Sequence, residues 1–492
     1  MSFVRLRIAF LVACLAALTA TGCGIADDDG PARVSLIGGS LRIADSTREA
    51  LDDTDRFLLP ALAKGLVGYG PDGGIEQGLA EAWTVTDDGR SYIFRLAPAR
   101  WTDGNPVTSR QVARILTRRI AADSRNRLRY EVSGIESVRA MTDNVIEIRL
   151  ARPASDLLDL LAQPEFAIAM PRRGWGPLRA VADRGHWLLS PVPDPLAVDR
   201  DAEEDLAPLI DLGISAADTA VARFKLGASD AVLGGRYQDF PYFLVSGIST
   251  DRLVIDPAQG LFGLGFVEDS GFFAASQNRA AIAKAIDRSA LVRAFGIENW
   301  APQVAMRPQY GGARTIAPVL PLWSDQTLAS RQIDARRTVA QWRAAGGTLP
   351  VVRIALPDGV GSRLLFATIA ADLKAVGLEA RQVALFGDAD LRLIDEVAPS
   401  DNPLWVAHRL SCSGDLICDA GIEDLIARAD ASADGAERNA LLAQVDAQLT
   451  RFVPYVPLAS PLRWALVDRR LSGYRPNIRA RHPLDRMVDR AR

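Results

Sequence analysis

Residues able to do covalent or metal chemistry are few in this chain. Its 492 residues include three His (His186, His408, His482) and four Cys. No His-Glu-x-x-His, Gly-x-Ser-x-Gly or Gly-x-x-x-x-Gly-Lys-Ser/Thr occurs, so the helix-borne zinc pair, the nucleophile elbow and the phosphate-cradling loop are all missing. Three His leave little material for a zinc site, and no metal is expected. Gly260, Gly263 and Gly265 run Gly-x-x-Gly-x-Gly, the wrong order for a dinucleotide fingerprint; glycines in a strand more often mark bends or close backbone approach. Carboxylates abound, yet linear spacing cannot show two of them flanking a substrate. No catalytic residue and no cofactor are expected, and the chain reads as a binder rather than an enzyme.

The cysteines divide by position. Arg5 and Arg7 precede an uncharged, mostly apolar run over residues 8–20, followed by Ala20-Thr21-Gly22-Cys23. The run is too short to span a bilayer and reads as a secretory signal. Small residues followed at once by Cys resemble the bacterial lipoprotein cleavage box. Residues 1–22 would then be the signal and Cys23 the lipidated first mature residue. Residues 23–33, with Asp27-Asp28-Asp29, would be a polar tether. An ordinary signal with an incidental Cys is the alternative. Cys412 and Cys418 remain as an even pair with five residues between them. An oxidising compartment favours a loop-closing disulfide there, and two free buried thiols are the other reading. Basic and acidic totals of 57 and 60 leave a net charge of −3, without the basic face that nucleic acid requires or a polybasic membrane patch.

The elements that must position any site are local and readable. At 48% hydrophobic the chain can build a large core, and its length suits about three domains. Residues 81–96 alternate apolar and polar around Asp88-Gly89, the pattern of a hairpin. Thr108 and Gln111 form a capping box ahead of a helix carrying Val112, Ile115 and Leu116. Residues 135–140 and 145–150 make a second strand pair. Helices are expected over 54–67, 218–226 and 276–295. Residues 351–385 read as strand, helix, strand: Leu365, Ile369 and Leu373 mark one helix face, and Gly377 ends it. Another helix opens at Asp434 and stops at Pro454, and 455–466 is extended.

At this point a resemblance becomes specific. Gly78-Leu79-Ala80-Glu81-Ala82-Trp83, Asp87-Asp88-Gly89, Tyr92-Ile93-Phe94-Arg95-Leu96 and the run from Trp101 through Thr102-Asp103-Gly104-Asn105-Pro106-Val107 to Thr108 resemble, in order, the signature of family 5 solute-binding proteins, the extracytoplasmic peptide-binding components of ABC importers. The run Ala285-Ile286-Asp287-Arg288, the junction at Gly377-Leu378 and Pro454-Tyr455-Val456-Pro457-Leu458 resemble further stretches of that family, so the likeness covers about residues 40–476. It implies an α/β, two-lobed periplasmic-binding-protein-like fold with an extra α+β subdomain inserted in the first lobe. Lobe I would take 34–69, 171–262 and 455–492, the insertion 70–170, and lobe II 263–454. The chain would cross between lobes at 252–266 and 455–466. Trp83, Trp101 and the Asp103-Gly104 turn read as core and turn residues of the insertion.

The resemblance also implies a function: a lipid-anchored, extracytoplasmic monomer that captures a peptide or peptide-like solute between its lobes and delivers it to a membrane permease. In peptide binders of this family a lobe II Trp is followed three residues later by an acid that pairs with the peptide α-ammonium. Here the matching run is Trp405-Val406-Ala407-His408, with Arg409 next and Asp415 and Asp419 downstream. A neutral or cationic side chain cannot balance an ammonium, which favours an anionic, neutral or N-blocked solute. Candidate ligand contacts are Asp45, Trp405, His408 and Arg409. Rival readings are a nickel-complex, haem or sugar cargo, a receptor or assembly lipoprotein without transport, and an exported hydrolase. A cleft lined by Arg–Asp pairs would favour the receptor.

Overall fold

The computed structural model describes residues 30–39, 44–170, 173–192, 207–309 and 317–488. The expected signal, Cys23 and most of the expected tether lie outside them. Ala32 and Arg33, assigned above to the tether, instead open the strand Ala32–Ile37. This strand pairs in parallel with Ile210–Ser215 on one side and Ala231–Arg236 on the other. Antiparallel strands extend both edges, giving a seven-stranded lobe I sheet that ends with Arg463–Val467 and Leu253–Ile255. The central strands are apolar runs; Val34, Leu36, Ile210, Leu212, Ala231 and Leu233 are all buried, as a sheet covered on both faces requires.

Lobe II has a five-stranded sheet in the order Glu379–Ala384, Val351–Leu356, Leu391–Val397, Gly260–Phe266, Tyr455–Ala459. The strand–helix–strand unit expected over 351–385 is present, with its two strands parallel. Its helix Val360–Ala375 buries Leu365, Ile369 and Leu373, and Gly377 takes a φ of 89°, the left-handed region where glycine has no steric cost. Two lobe boundaries shift. Residues 260–262 and 455–459 were assigned to lobe I, but Gly260–Phe266 and Tyr455–Ala459 pair with each other inside the lobe II sheet. Gly263 explains the fit, because a Cβ there would stand 2.3 Å from the Val456 carbonyl. The chain therefore crosses at 256–259 and 460–462, where Pro257 and Pro461 interrupt backbone pairing.

The insertion is a four-stranded antiparallel sheet under the helix Ser109–Ile120, whose Thr108/Gln111 capping box is formed. Phe94, Trp101, Val112, Leu116, Ile146 and Ile148 build its core. That core reaches back to Leu66 and Val67, so the helix expected over 54–67 ends early, as Asp53–Leu62. A Cβ at Gly65 would lie 2.7 Å from the Leu161 carbonyl, and Val67–Tyr69 pairs as a strand with Ile75–Gln77. The helix expected over 276–295 is two, Ser276–Ala285 and Arg288–Ala294, because the Asp287 side chain accepts the Ala290 N–H and starts a new one; Asp is a strong N-cap. Among the described residues no helix is long and apolar enough to cross a membrane.

Candidate functional site

Charged side chains from three parts of the chain meet where lobe I, the insertion and lobe II face one another. From lobe I, Asp53 and Arg56 sit on one face at the start of the helix Asp53–Leu62; side chains three apart on a helix are neighbours. Arg236 stands at the carboxyl end of Ala231–Arg236, and Arg463 opens Arg463–Val467 just after the second crossing. The insertion contributes Arg127 and Glu165. Lobe II contributes Asp395 and Glu396 from Leu391–Val397, and Arg409 from the short helix Leu404–Arg409.

The contacts form a chain of ion pairs. Arg236 bonds the Asp53 carboxylate and lies 3.5 Å from Asp395 Oδ2. Arg463 Nη1 donates to Asp395 Oδ1 at 2.7 Å, and Arg56 Nη2 to Glu165 Oε1 at 2.7 Å. Arg409 donates from Nε to Glu396 at 2.9 Å and from Nη1 to the Gly414 carbonyl at 2.6 Å. Burial alone would raise the acidity constants of these carboxyls. The guanidinium groups outweigh it: Arg236, Arg56 and Arg463 hold Asp53 down at about 2, and Arg409, Arg127 and Arg56 lower Glu396. Asp239, beside the same cluster, is dominated by burial and pushed up to about 6.

Two of these residues reveal a cavity. Asp53 and Glu396 have protein on every side, yet 38% and 32% of their side-chain surfaces stay open to water. A side chain ringed by protein but still wet lines an internal space. Arg127 is likewise exposed while feeling the charges of Arg56, Glu396, Glu165 and Arg409. A separate recess of about 530 Å³ lies beyond Arg56, walled by Lys64, Tyr69, Gln163, Arg481 and His482. Its lining comes from lobe I and the insertion alone, so lobe motion would not open or shut it. The space between the lobes is the candidate site.

Of the residues singled out from sequence, Arg409 lines this space. Trp405 is buried in the lobe II core. His408 faces the insertion, its Nδ1 3.0 Å from Glu131 Oε1. Asp45 accepts hydrogen bonds from the N–H and hydroxyl of Thr47 at 3.1 and 2.9 Å, and lies 3.8 Å from Arg119 at the junction of lobe I and the insertion. Cys412 and Cys418 are joined in a disulfide, and Gly414 inside that loop supplies the carbonyl that steadies Arg409. Among the described residues no three His, Cys, Asp or Glu side chains converge as metal ligands. Sequence reading missed Asp53, Arg56, Arg127, Arg236, Asp395 and Glu396. The available signal was position: Arg236 ends a parallel strand, and ligands of open α/β sheets bind beyond strand carboxyl ends.

Residues 74–188 match the family described as "Bacterial extracellular solute-binding proteins, family 5 Middle". The likeness is to family 5 solute-binding proteins. The glutathione-binding protein GsiB of Escherichia coli (strain K12) is 29% identical over 126 residues, 25% of this chain and 24% of that protein. The chain thus aligns with about a quarter of the length of this curated relative. The Haemophilus influenzae OppA structure, in complex with the peptide RPPGFSPFR, superposes with a TM-score of 0.76 at 16% identity, covering 94% of this chain and 98% of that one. The binding protein AgaA of A. tumefaciens R10, in complex with agropinic acid, gives 0.73 at 20% identity, covering 94% and 99%. At these identities the structural likeness is one of fold, and it extends the two-lobed architecture over nearly the whole chain.

Further contacts span the lobes around the cavity. Tyr237 Oη and Ser362 Oγ are 2.8 Å apart, Ser400 donates to Asp156 at 2.9 Å, and Arg479 to Asp401 at 2.9 Å. The His408–Glu131 pair makes lobe contact pH-sensitive. Burial would lower the His408 pKa, but the hydrogen bond and charge of Glu131, with Asp430 adding and Arg152 opposing, raise it above its usual value. A proton held more tightly when the lobes touch favours contact below the ordinary imidazole pKa of about 6.5. That contribution is lost as pH rises through the raised value. Small-angle scattering should show the unliganded protein expanding between pH 6 and pH 8, and His408→Gln should flatten that response.

Proposed function

We propose that the chain is the substrate-binding component of an ABC importer, taking up a peptide or peptide-like solute between its lobes and passing it to a membrane permease. The observation that carries this reading is the wet, charge-lined cavity whose walls come from both lobes and the insertion. Such a site is complete only when the lobes meet, so solute and closure favour each other; a ligand shifts that balance only by binding one state better. The match to a family of extracellular solute-binding proteins supports an extracytoplasmic place, and the Ala20-Thr21-Gly22-Cys23 run supports a lipid on Cys23. No bond in the solute is made or broken.

Solution scattering and thermal unfolding of the mature chain against a broad screen of peptides and other small solutes test it. A ligand should compact the particle and raise Tm together. No compaction and no rise with any solute overturns it. A receptor of the same fold without transport draws on one observation, the pairing of Asp53, Asp395 and Glu396 with Arg residues inside the cleft. Solute uptake lost on deleting the chain and restored by its return decides for transport; binding without any uptake defect decides for the receptor.

A further inference from the structure

The charges around the cavity do not balance, and the imbalance says what it captures; this inference rests on the capture reading above. Arg56, Arg127 and Arg409 lie within electrostatic reach of one another, with Glu165 and Glu396 between them. Both carboxylates are taken. Glu165 Oε1 accepts from Arg56 Nε at 3.1 Å and Nη2 at 2.7 Å, and Glu396 Oε1 accepts from Arg409 Nε at 2.9 Å. Asp53, Asp395, Arg236 and Arg463 add two acids and two bases, already paired among themselves. Arg481 adds a further cation nearby, spent on Gln163 Oε1 at 3.0 Å.

Arg127 is left over. Among the described residues its guanidinium makes no hydrogen bond or ion pair, although it is set beside two like charges. A guanidinium cannot escape that repulsion by losing its proton. Its side chain stays exposed on the cavity wall, so its planar donor fork is free to take an anion with two parallel hydrogen bonds. We propose that Arg127 anchors a ligand carboxylate, so that the cavity selects peptide-like solutes bearing a free carboxyl group. The absence of an unpaired acid among the named cleft residues points the same way: no carboxylate there stands ready for a lone ammonium.

The test offers the mature protein two probes, a library of neutral-side-chain tripeptides as free acids and the same library amidated at the C-terminus. Native mass spectrometry reads what is retained and how tightly. The free acids should be retained at least tenfold better than the amides. Arg127→Gln, at an exposed position where folding should be unaffected, should weaken retention of the acids about 10- to 100-fold and abolish the discrimination. Arg127→Lys should recover part of both, in a salt-dependent way. Equal retention of the amides, or acids held undiminished by Arg127→Gln, overturns the proposal and leaves capture standing. A wild-type protein that retains neither library overturns both.

Discussion

Replacing Arg279 with Ala should cost about 3–5 kcal/mol of folding stability, read as a lower urea midpoint with an unchanged slope. The side chain is 1% exposed, and its guanidinium serves as a knot of backbone bonds. Nε donates to the Val453 carbonyl at 3.1 Å, Nη1 to Phe273 and Ala274 at 2.7 and 2.9 Å, and Nη2 to Phe452. The group also stacks 4.5 Å from the centre of the Phe452 ring. It thereby ties the start of Ser276–Ala285 to the end of Gly435–Phe452, where Val453 turns left-handed at φ 55°. Burial lowers its pKa to about 10, with Asp269 opposing, so it still carries its charge at neutral pH. Ala would leave four carbonyls short of a donor, at roughly 1–3 kcal/mol for each one fully buried. Arg279→Lys should recover less than half, since an ammonium cannot reproduce the planar fork. Arg293→Ala, exposed on the next helix, should stay within about 0.5 kcal/mol of wild type.

The same contrast explains what could be read from the chain alone. Features closed within a few residues were legible. The 81–96 hairpin, the Thr108/Gln111 box, the 351–385 unit and the glycine at 377 all depend on neighbours in sequence, and the order of motifs from Gly78 to Thr108 carried the fold with them. Errors fell where a distant backbone decided the outcome: Gly65 against Leu161 shortened one helix, and Gly263 against Val456 moved two strands into lobe II. The cleft was the least legible part. Arg236 and Asp53 are 183 positions apart, Arg56 and Glu165 109, and Arg463 and Asp395 68. In a chain where Lys is only four of 57 basic residues, no single Arg stands out by type. Arg409 was found because the family pattern broke beside it. Arg127 could be found only by asking which guanidinium had no acid left to hold it.

Asp395→Ala should be as damaging as the loss of Arg279, and for a reason that couples stability to lobe contact. Asp395 is 6% exposed on its side chain, and the two guanidinium groups beside it, Arg463 and Arg236, are 13% and 22% exposed. Oδ1 accepts from Arg463 at 2.7 Å, the Asp395 carbonyl accepts from the same guanidinium at 3.0 Å, and Oδ2 faces Arg236 at 3.5 Å. Arg463 follows the second crossing and Arg236 ends a lobe I strand, so one lobe II carboxylate holds both sides of the cleft. Removing it leaves two buried cations with Asp53 as the nearest remaining acid, at a cost of about 3–5 kcal/mol. The loss falls on the lobe contact first, so scattering of the folded variant should show an expanded particle before unfolding begins. Asp395→Leu combined with Arg463→Met should regain most of the stability, because an apolar pair of similar volume removes the stranded charge along with its partner. It should not regain the compact form, since Arg236 loses its only lobe II carboxylate among the described residues. If the double variant is as unstable as Asp395→Ala alone, the damage comes from lost packing in the strand Leu391–Val397, and the charge bridge is not what joins the lobes there.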